Sequence, residues 1–483
     1  MDANDKSLGA SHSLQAIYGQ DEHLLRTQRA RYIQARQRFE AHFGPGPVQF
    51  FRTPGRINLI GEHTDYNGGF VLPVALDKDI LFAVRPRSDA LIQAINVEPG
   101  FPPFSFQLTE DIPHALAGDW SNYFRGAGQE ICRRFGKAGI LPSQIKGMDV
   151  LACGDMPHGV PRGSGLSSST ALTVNAALAL VVLNAMRSSR PPEIGRADLA
   201  HLCSEAEWYV GTRGGMMDQF AALLGRRDQA LFLDCRPMAD GSYTFDHVPV
   251  PPSVQIVLLN SGVHHDNVRG TFNQRVAECK IGVKLLQRHY GWITHLRDAT
   301  PETLGLAAHN FWSLIAQTLP AAATVEALIG QGVERTWLDA LMADHGLAAS
   351  TTFAVLPRCR HVITENARVL AGVAALRDGQ VETFGRLMDQ AHASMSGDYG
   401  ASCDEVDELV AITRHQPDVL GARITGAGWG GSVVAMARRG SEDQANQCTW
   451  AETVRATYKQ ATGLDTDVFV CRPGDSAGVV EAH

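Results

Sequence analysis

A glycine- and serine-rich loop that runs directly into a long apolar segment constrains the fold of this chain more than any other feature. The loop covers residues 163–169, and the segment after it is almost wholly apolar as far as Met186. A segment that is apolar on all sides predicts a buried helix. Its longest apolar stretch, residues 176–186, is interrupted by Asn184 and is too short to span a bilayer. We therefore expect a folded domain built around this helix.

The same loop predicts a binding site for phosphate. At a helix N-terminus, free backbone N–H groups and the helix dipole favour an anion, and glycine lets the backbone approach it closely. The alternative is a flexible linker, but linkers do not normally lead into a buried helix. No Gly-Lys-Ser/Thr follows the loop, and the chain lacks the His-Arg-Asp and Asp-Phe-Gly motifs of protein kinases. The candidate phosphate-binding residues are Gly163, Ser164, Gly165, Leu166, Ser167, Ser168 and Ser169.

Length and charge narrow the class of protein. A chain of 483 residues is too long for one core, so we expect two domains. The net charge of −8 argues against nucleic acid or an anionic membrane as the main partner. Nine cysteines without a Cys-x-x-Cys pair, and residues 1–20 without an apolar signal-peptide core, predict a cytoplasmic protein with reduced thiols.

Strand and helix patterns occur in both halves of the chain, which predicts an α+β protein. Predicted helices cover residues 21–43, 198–210, 360–376 and 381–392. Predicted strands lie at 50–51, near 57, and at 70–76, 80–84, 148–153, 230–234, 254–260, 422–425, 433–437 and 468–471. We expect an N-terminal helical extension over 1–44, a first domain over 45–240 and a second over 241–483, with a helical insertion at about 290–355.

Residues 55–69 concentrate polar groups between two apolar runs. The segment contains four hydrogen-bonding side chains: Arg56, Glu62, His63 and Asp65. The Asn67-Gly68 pair is typical of a tight hairpin, because both residues tolerate positive φ. Such a mixture of donors and acceptors suits a small polyhydroxylated ligand. A solvated polar turn and a metal site are the alternatives, although the His-x-x-x-His spacing of a zinc hydrolase is missing.

Two further segments carry candidate chemistry. Asp218 follows a glycine pair and would be a carboxylate held at a loop–helix junction. Glu207 lies upstream on a predicted helix and is available for a hard divalent cation. The structural alternative is that Asp218 only starts the next helix. Residues 425–431, Thr-Gly-Ala-Gly-Trp-Gly-Gly, form a second glycine-rich turn between two predicted strands, and a simple bend explains it equally well.

In this order, the three segments resemble the motifs of the GHMP family of small-molecule kinases, and specifically its galactokinases. The resemblance runs from about residue 45 onward and is most specific in the Gly-Arg-Ile-Asn-Leu-Ile-Gly-Glu-His-Thr-Asp-Tyr segment. It implies two α+β domains with the active site in the cleft between them. It also implies phosphorylation of the anomeric hydroxyl of galactose, with ATP as co-substrate and Mg²⁺ as cofactor.

The resemblance also implies roles for individual residues. Asp218 would be the catalytic carboxylate, as a general base or as a group that orients the hydroxyl, and Arg56 would stabilise charge beside it. The loop at 163–169 would bind the nucleotide phosphates, with Ser169 and Glu207 on magnesium. Trp120–Tyr123 is similar to a stretch near the adenine pocket. The sugar ligands would be Glu62, His63, Thr64, Asp65 and Gly215.

The choice of sugar stays open at this point. Phe272 stands where galactokinases often carry a tyrosine that reaches the sugar, and N-acetylgalactosamine kinases of the eukaryotic-type branch carry phenylalanine there. Thr64 and Asn67 favour galactose itself. A non-catalytic sugar- and ATP-binding regulator is the alternative of another class, and the intact 165–171 segment, Asp218 and Arg56 argue against it. We expect small-molecule partners and a monomer.

Overall fold

The computed structural model describes residues 8–160, 165–185, 194–211, 214–263, 268–440 and 448–481. The chain forms two compact units, and neither is contiguous in sequence. Unit 1 comprises residues 1–57, 73–231 and 471–483, and unit 2 comprises residues 58–72 and 232–470. The expected boundaries at 44 and 240 differ from this division, because strands from distant parts of the chain pair in the same sheet. The C-terminal strand, for example, pairs with residues 50–52.

The described residues contain strands and helices in mixed order. The strands are β1 Ser11–Ser13, β2 Gln49–Asn58, β3 Phe70–Val71, β4 Pro73–Pro86, β5 Leu91–Asn96, β6 Phe104–Gln107, β7 Met148–Cys153, β8 Gln229–Asp234, β9 Phe245–Pro249, β10 Val254–Asn260, β11 Val419–Thr425, β12 Ser432–Arg438, β13 Asp467–Cys471 and β14 Gly478–Glu481. The helices are α1 Leu14–Tyr18, α2 Glu22–Phe43, α3 Ser121–Lys137, α4 Ser168–Ala185, α5 Arg196–Trp208, α6 Met217–Leu224, α7 Val268–Gln287, α8 Pro301–Leu304, α9 Ala308–Thr318, α10 Val325–Gly330, α11 Arg335–His345, α12 Val355–Arg377, α13 Val381–Ser394, α14 Asp404–Arg414 and α15 Ala451–Thr462.

Unit 1 is built on a mixed seven-stranded sheet in the order β1-β14-β2-β4-β7-β5-β6. Helix α4 contacts β4 of this sheet and is packed between α3, α5 and α6. By length and composition α4 could cross a membrane, but 83% of it is buried inside the fold. It is the buried helix that the apolar run predicts, and its burial explains why the run carries no polar face.

The N-terminal segment is part of the core of unit 1. Helix α2 buries Leu25, Tyr32 and Phe39, the three residues whose heptad spacing predicts it. Its Arg31 guanidinium donates to Asp79 Oδ1 at 2.7 Å, and Arg52 Nε donates to the other oxygen of the same buried carboxylate at 2.7 Å. Residues 14–43 are therefore integrated with β2 and β4 rather than appended to them.

Unit 2 contains two smaller sheets and most of the later helices. The four-stranded sheet has the order β11-β12-β10-β13, and the three-stranded sheet has the order β3-β8-β9. Strand β10 occupies the predicted residues 254–260, and helices α8 to α11 occupy the segment that predicts a helical insertion. Helix α12 contacts α7, α13 and β3.

The structure differs from the sequence-based expectation at several places. The strands expected at 70–76 and 80–84 are instead the short β3 and the single long strand β4, which covers residues 73–86. Asn67-Gly68 does not form a tight hairpin: Asp65–Asn67 is a 3₁₀ turn, and Gly68 at φ 61° ends it. The strands expected at 50–51 and near 57 are one strand, β2. Helix α3 was missed because glycines lower its helix propensity. One of them, Gly126, allows close packing on α5, since a Cβ there would lie 2.4 Å from the Ala206 carbonyl oxygen.

Candidate active site

A bidentate ion pair between Arg56 and Asp218 is the centre of the candidate site in unit 1. Arg56 lies on β2, and Asp218 lies in the first turn of α6. The Nε and Nη2 atoms of Arg56 donate to Oδ1 and Oδ2 of Asp218, each at 2.5 Å. The Arg56 side chain is 8% exposed and that of Asp218 is 21% exposed. The carboxylate is thus fixed in orientation while part of it stays accessible.

The glycine- and serine-rich loop contacts this ion pair directly. Arg56 Nη1 donates to the Gly165 carbonyl, and the Ser167 hydroxyl donates to Asp218 Oδ2. Gly165 and Ser167 both have left-handed backbones, with φ of 70° and 59°. This backbone turns the loop so that its Ser167 hydroxyl meets the carboxylate immediately before α4 begins.

Glu207, at the end of α5, is the second carboxylate of the site. It accepts a hydrogen bond from the Thr170 hydroxyl on α4 at 2.5 Å. Burial and the negative charge of Asp218 raise the pKa of Glu207 to about 7. The site therefore holds two carboxyl groups whose negative charges repel each other. The positive charge of Arg56 offsets part of this rise in the pKa of Glu207.

The other candidate residues of unit 1 have simpler surroundings. Gly163 and Ser164 lie outside the described residues. Leu166 is buried, and its carbonyl accepts from the Arg56 N–H at 3.3 Å. Ser168 and Ser169 form the first turn of α4, and Gly215 lies in the short segment before α6. Trp120 is buried in the core, where its Nε1 donates to the Pro102 carbonyl at 2.8 Å.

In unit 2, helix α12 fixes the signature segment at both ends. The Gly61 N–H donates to Glu365 Oε1 at 2.8 Å, and His361 Nε2 donates to the Glu62 carbonyl at 3.1 Å. The Phe70 N–H donates to Asn366 Oδ1 at 2.8 Å. All three helix side chains are buried. Gly61 is required here, because its φ of 102° is a left-handed backbone conformation and a Cβ would lie 2.8 Å from the Phe70 carbonyl oxygen.

Glu62 is held by the second glycine-rich turn. Its Oε1 accepts from the Thr425 hydroxyl and from the Gly426 N–H, both at 3.0 Å, and lies 3.3 Å from Nη2 of the buried Arg423. Glu62 itself is only 2% exposed. The turn at 425–431 is therefore more than a bend, since its first two residues position a side chain of the signature.

His63 lies in an aromatic cluster. Its ring stacks on Tyr399 with centroids 4.5 Å apart, and its Nδ1 is 2.7 Å from the Tyr66 hydroxyl. Phe272 lies beside both, with its ring centroid 5.8 Å from His63 and 5.1 Å from Tyr66. His63 Nε2 is buried and meets no hydrogen-bonding partner among the described residues.

Thr64 and Asp65 complete the signature turn. Thr64 is fully buried, and its hydroxyl contacts the carbonyl oxygens of Gly61 and Phe70 at 2.9 and 2.6 Å. These are contacts that shape a turn. Asp65 is half-buried and begins the 3₁₀ turn.

Comparison with known proteins adds to this geometry. The galactokinase galactose-binding signature matches residues 37–86, the GHMP kinases N terminal domain matches residues 122–226, and the GHMP kinases C terminal region matches residues 373–452. A galactokinase of Roseiflexus sp. (strain RS-1) is 36% identical over 447 residues, which cover 92% of this chain and 96% of that protein. The chain belongs to the galactokinase family.

Two other relatives agree with this family membership. A galactokinase of Chloroflexus aggregans is 34% identical over 448 residues, covering 92% of this chain and 96% of that protein. The crystal structure of Lactococcus lactis galactokinase complexed with galactose matches with a TM-score of 0.72 at 27% identity, over 92% of this chain and 99% of that chain. The fold is thus the two-domain α+β fold of GHMP kinases, and the protein is a sugar kinase of this family with ATP as co-substrate.

Sequence reasoning missed several contacts of the candidate residues. Thr170, the neighbour of the candidate metal ligand Ser169, donates its hydroxyl to Glu207. Ser167 contacts Asp218, although the loop pattern suggests only phosphate binding. Tyr399, which stacks on His63, lies far along the chain from the signature, and no local pattern points to it. Within the described residues, no group of three or more His, Cys, Asp or Glu side chains is arranged to hold a metal ion.

Proposed function

We propose that this protein is a galactokinase that transfers the terminal phosphoryl group of ATP to the anomeric hydroxyl of galactose and forms galactose 1-phosphate. The observation that carries the proposal is the Arg56–Asp218 pair, which the phosphate-binding loop contacts through Ser167. A fixed and partly exposed carboxylate next to a phosphate loop is what transfer to a hydroxyl requires. The galactose-binding signature at 37–86 supports galactose as the acceptor.

The chemistry follows from this arrangement. Phosphoryl transfer passes through a loose transition state, so positioning and charge neutralisation matter more than early removal of a proton. Asp218 accepts a hydrogen bond from the acceptor hydroxyl and orients it, and a carboxylate, as a weak base toward a sugar hydroxyl, takes the proton late. Arg56 stabilises the negative charge of Asp218 and holds its plane.

Magnesium is part of the proposal, and its ligands are Ser169 and Glu207. In kinases Mg²⁺ takes one or two protein oxygen ligands and completes its shell with phosphate and water, so a cluster of three protein ligands is not needed. Burial and Asp218 raise the pKa of Glu207 to about 7, so part of the group is protonated near neutral pH, and a nearby divalent cation would favour the ionised form that binds it. When bound, the metal would neutralise charge on the transferring phosphate.

The remaining ligands are proposed from the family motifs. The nucleotide phosphates bind the loop at 163–169 at the N-terminus of α4, where backbone N–H groups favour an anion. The sugar hydroxyls bind the signature and the segment before α6. The proposed sugar ligands are Glu62, His63, Thr64, Asp65 and Gly215.

A second acceptor, N-acetylgalactosamine, is favoured by one observation. Phe272 lies next to His63 and Tyr66 and brings no hydroxyl to this surface of unit 2. An apolar ring there tolerates a bulkier substituent than a tyrosine that binds a sugar hydroxyl. We also propose that the enzyme works as a monomer in the cytoplasm, without a nucleic-acid or membrane partner.

The test is ADP release in the presence of Mg²⁺ and ATP, with galactose and N-acetylgalactosamine as acceptors. We expect strong turnover of galactose and a loss of turnover when Mg²⁺ is chelated. Asp218→Asn should lower kcat by a factor on the order of 100 or more, with galactose and ATP still bound. Asp89→Asn is the matched control, since Asp89 forms a bidentate pair with Arg87 on the surface of the same unit. Binding of galactose without turnover by the wild-type protein would favour the regulator instead.

A further inference from the structure

A chain of hydroxyl groups leads from the interior of unit 2 to His63. The Tyr399 and Tyr66 hydroxyl oxygens are 2.6 Å apart, and the Tyr66 hydroxyl is 2.7 Å from His63 Nδ1. Behind Tyr399, the Cys279 sulfur lies 3.9 Å from the hydroxyl. Tyr399 and Cys279 are fully buried, and His63 is 5% exposed. The hydroxyl of each tyrosine therefore takes part in this series of hydrogen bonds.

The direction of the chain follows from the strengths of its donors and acceptors. A phenol is a strong donor and an imidazole nitrogen with a lone pair is a strong acceptor, so Tyr66 donates to His63 Nδ1. The Tyr66 oxygen then accepts from Tyr399, whose oxygen faces the weakly donating thiol of Cys279. In the reverse direction, an imidazole N–H would donate to a phenol oxygen, and the chain would end on sulfur, which is a weak acceptor.

The charges around His63 keep its ring neutral. Burial lowers the pKa of His63 well below 6.5, and His361 on α12, Arg423 on β11 and Arg275 on α7 lower it further, against an opposing effect of Glu365. Burial raises the pKa of Tyr66 and of Tyr399 well above 10, so both hydroxyls keep their protons. A neutral imidazole carries one proton, and the partner of one nitrogen decides which nitrogen holds it.

We propose that Tyr66 and Tyr399 are positioning residues that hold His63 in the Nε2–H tautomer and make it a fixed hydrogen-bond donor to a sugar oxygen. The proposal rests on the proposed function and deepens it, because it states that the sugar must offer a hydrogen-bond acceptor to His63. His63 Nε2 is buried and has no acceptor within the described part of the chain. A buried N–H without an acceptor costs free energy that a ligand oxygen recovers on binding.

This assignment gives the carboxylates and His63 different roles in hydrogen bonding to the sugar. Carboxylates such as Asp65 can only accept hydrogen bonds from a sugar hydroxyl, whereas His63 in this tautomer can only donate. A sugar hydroxyl that accepts a hydrogen bond from His63 can donate its own proton to another group. A ligand without an oxygen at that position would leave the His63 N–H unpaired, so the site discriminates against it. Phe272 lies against both His63 and Tyr66 and adds no competing donor.

The tautomer can be measured directly in the ligand-free full-length protein. Among the 18 histidines, labelled with ¹⁵N in the ring, the His63 signals are identified by their loss in His63→Gln. We expect the wild-type ring to show a protonated Nε2 and an unprotonated Nδ1, and Tyr66→Phe to shift it toward a mixture of tautomers. Tyr399→Phe, which removes the second hydroxyl only, should have a smaller effect. A wild-type ring protonated at Nδ1, or an unchanged ring in Tyr66→Phe, would overturn the proposal.

Kinetics provide the functional half of the test. Tyr66→Phe should raise the KM for galactose about tenfold while kcat and the KM for ATP change little, because the transferring atoms are untouched. Tyr32→Phe is the matched control, since the Tyr32 hydroxyl is also buried and lies 3.1 Å from the hydroxyl of Tyr18 in unit 1. An equal rise in the galactose KM in both variants would refute the positioning role. Absence of galactose turnover in the wild type would count against the proposed function alone, because the tautomer is read without substrate.

Discussion

Glu207 and Asp218 are two carboxyl groups of one site with different partners. Asp218 binds a guanidinium and a serine hydroxyl, whereas Glu207 binds the hydroxyl of Thr170 and carries the cost of burial near a second negative charge. Arg56 and the Ser167 hydroxyl fix the orientation of Asp218. The hydrogen bond from Thr170 and the charge of Arg56 offset the cost of burying Glu207 only in part, so its pKa stays raised.

The pH dependence of folding stability should reveal the cost of burying the charged form of Glu207. Its pKa rises on folding from an ordinary value of 4.5 to about 7, so the folded state binds the proton more tightly. The group therefore favours folding most below pH 4.5 and loses this advantage as the pH rises through 7. In the absence of metal and nucleotide, we expect Glu207→Gln to melt higher than the wild type at pH 8, with a difference that shrinks toward pH 5. A melting-temperature difference that does not vary with pH would contradict this origin.

Phe272 should control the choice of sugar. Its ring lies against His63 and Tyr66, so Phe272→Tyr adds a hydrogen-bonding group next to a proposed sugar ligand. We expect the ratio of kcat/KM for galactose to that for N-acetylgalactosamine to change about tenfold, with the KM for ATP unchanged. Phe245→Tyr, at an exposed phenylalanine of β9, is the control. An unchanged sugar profile would mean that Phe272 does not face the sugar.

At the scale of elements, α12 acts as a support for the signature segment. Three of its buried side chains, His361, Glu365 and Asn366, bind backbone groups of residues 61–70. His361 and Glu365 are four residues apart and lie on the same face of the helix, and Asn366 lies beside Glu365 at the edge of that face. Helix α12 thus fixes a segment that has little regular structure of its own, which is how a helix can position residues of a binding site.

Asn366→Ala tests this support. Its Oδ1 accepts from the Phe70 N–H at 2.8 Å, and its Nδ2 donates to the carbonyl one turn back, that of Val362, at 2.7 Å. Loss of these bonds leaves a buried N–H unpaired, so we expect a destabilisation of about 1–3 kcal/mol. We also expect a higher KM for galactose with little change in the KM for ATP. Denaturant unfolding and steady-state kinetics measure the two effects.

Asn184 on α4 offers a matched control for that substitution. Its Oδ1 accepts from the Lys146 N–H at 2.8 Å, and its Nδ2 donates to the Leu180 carbonyl one turn back at 2.9 Å. Asn184→Ala should therefore cost similar stability without changing the galactose KM. If both variants raised the galactose KM equally, the effect of Asn366 would be general destabilisation rather than support of the signature.

At the scale of the whole molecule, the first and last strands of the described residues lie side by side in the sheet of unit 1. Strand β1 pairs in parallel with β14, and β14 pairs with β2. Arg52 on β2 joins the same elements, because its Nη1 donates to the Asp475 carbonyl at 2.9 Å while its Nε binds Asp79 on β4. The segments that flank the kinase motifs are thus structural parts of this unit.

Asp79→Asn should show how much of the stability depends on this cluster. The Asp79 carboxylate is fully buried and binds Arg31, Arg52 and the Tyr18 hydroxyl. Its neutralisation leaves two buried guanidinium groups without their counter-charge, so we expect a loss of about 3–5 kcal/mol. Asp465→Asn, in an exposed pair with Lys459, should cost under about 1 kcal/mol. Equal unfolding free energies for the two variants would contradict the structural role of the cluster.

The Asp79 cluster also has a defined pH dependence. Arg52, Arg31 and the Tyr18 hydroxyl hold the pKa of Asp79 below its ordinary value of 3.8, against the opposing effect of burial. A carboxyl with a depressed pKa stabilises the fold above its unfolded pKa, and this contribution is lost as the pH falls through the folded value. The stability that Asp79 contributes is therefore lost during acid unfolding below pH 4. This range is well separated from the range in which Glu207 titrates.

The amino-acid sequence by itself determined the local features of this protein. The almost wholly apolar run predicted α4 as a core helix, and the heptad spacing of Leu25, Tyr32 and Phe39 predicted the buried face of α2. The family motifs, with their glycines, acids and arginine, sufficed to indicate the class of reaction. These signals are readable because periodicity and turn chemistry act over a few neighbouring residues.

Only the tertiary structure decided which groups meet. Arg56 and Asp218 are 162 residues apart, and Gly61 and Glu365 are 304 residues apart, so no local pattern joins either pair. Residues 58–72 belong to unit 2 although they lie early in the chain, and residues 471–483 belong to unit 1 although they lie late in it. The cause is the same, since strand pairing is set by the sheet and not by sequence order. Tyr399 ends the helical turn Met395–Tyr399, which packs against α12 and α13. This packing brings the Tyr399 hydroxyl to that of Tyr66, next to His63, although Tyr399 is far in sequence from the other two.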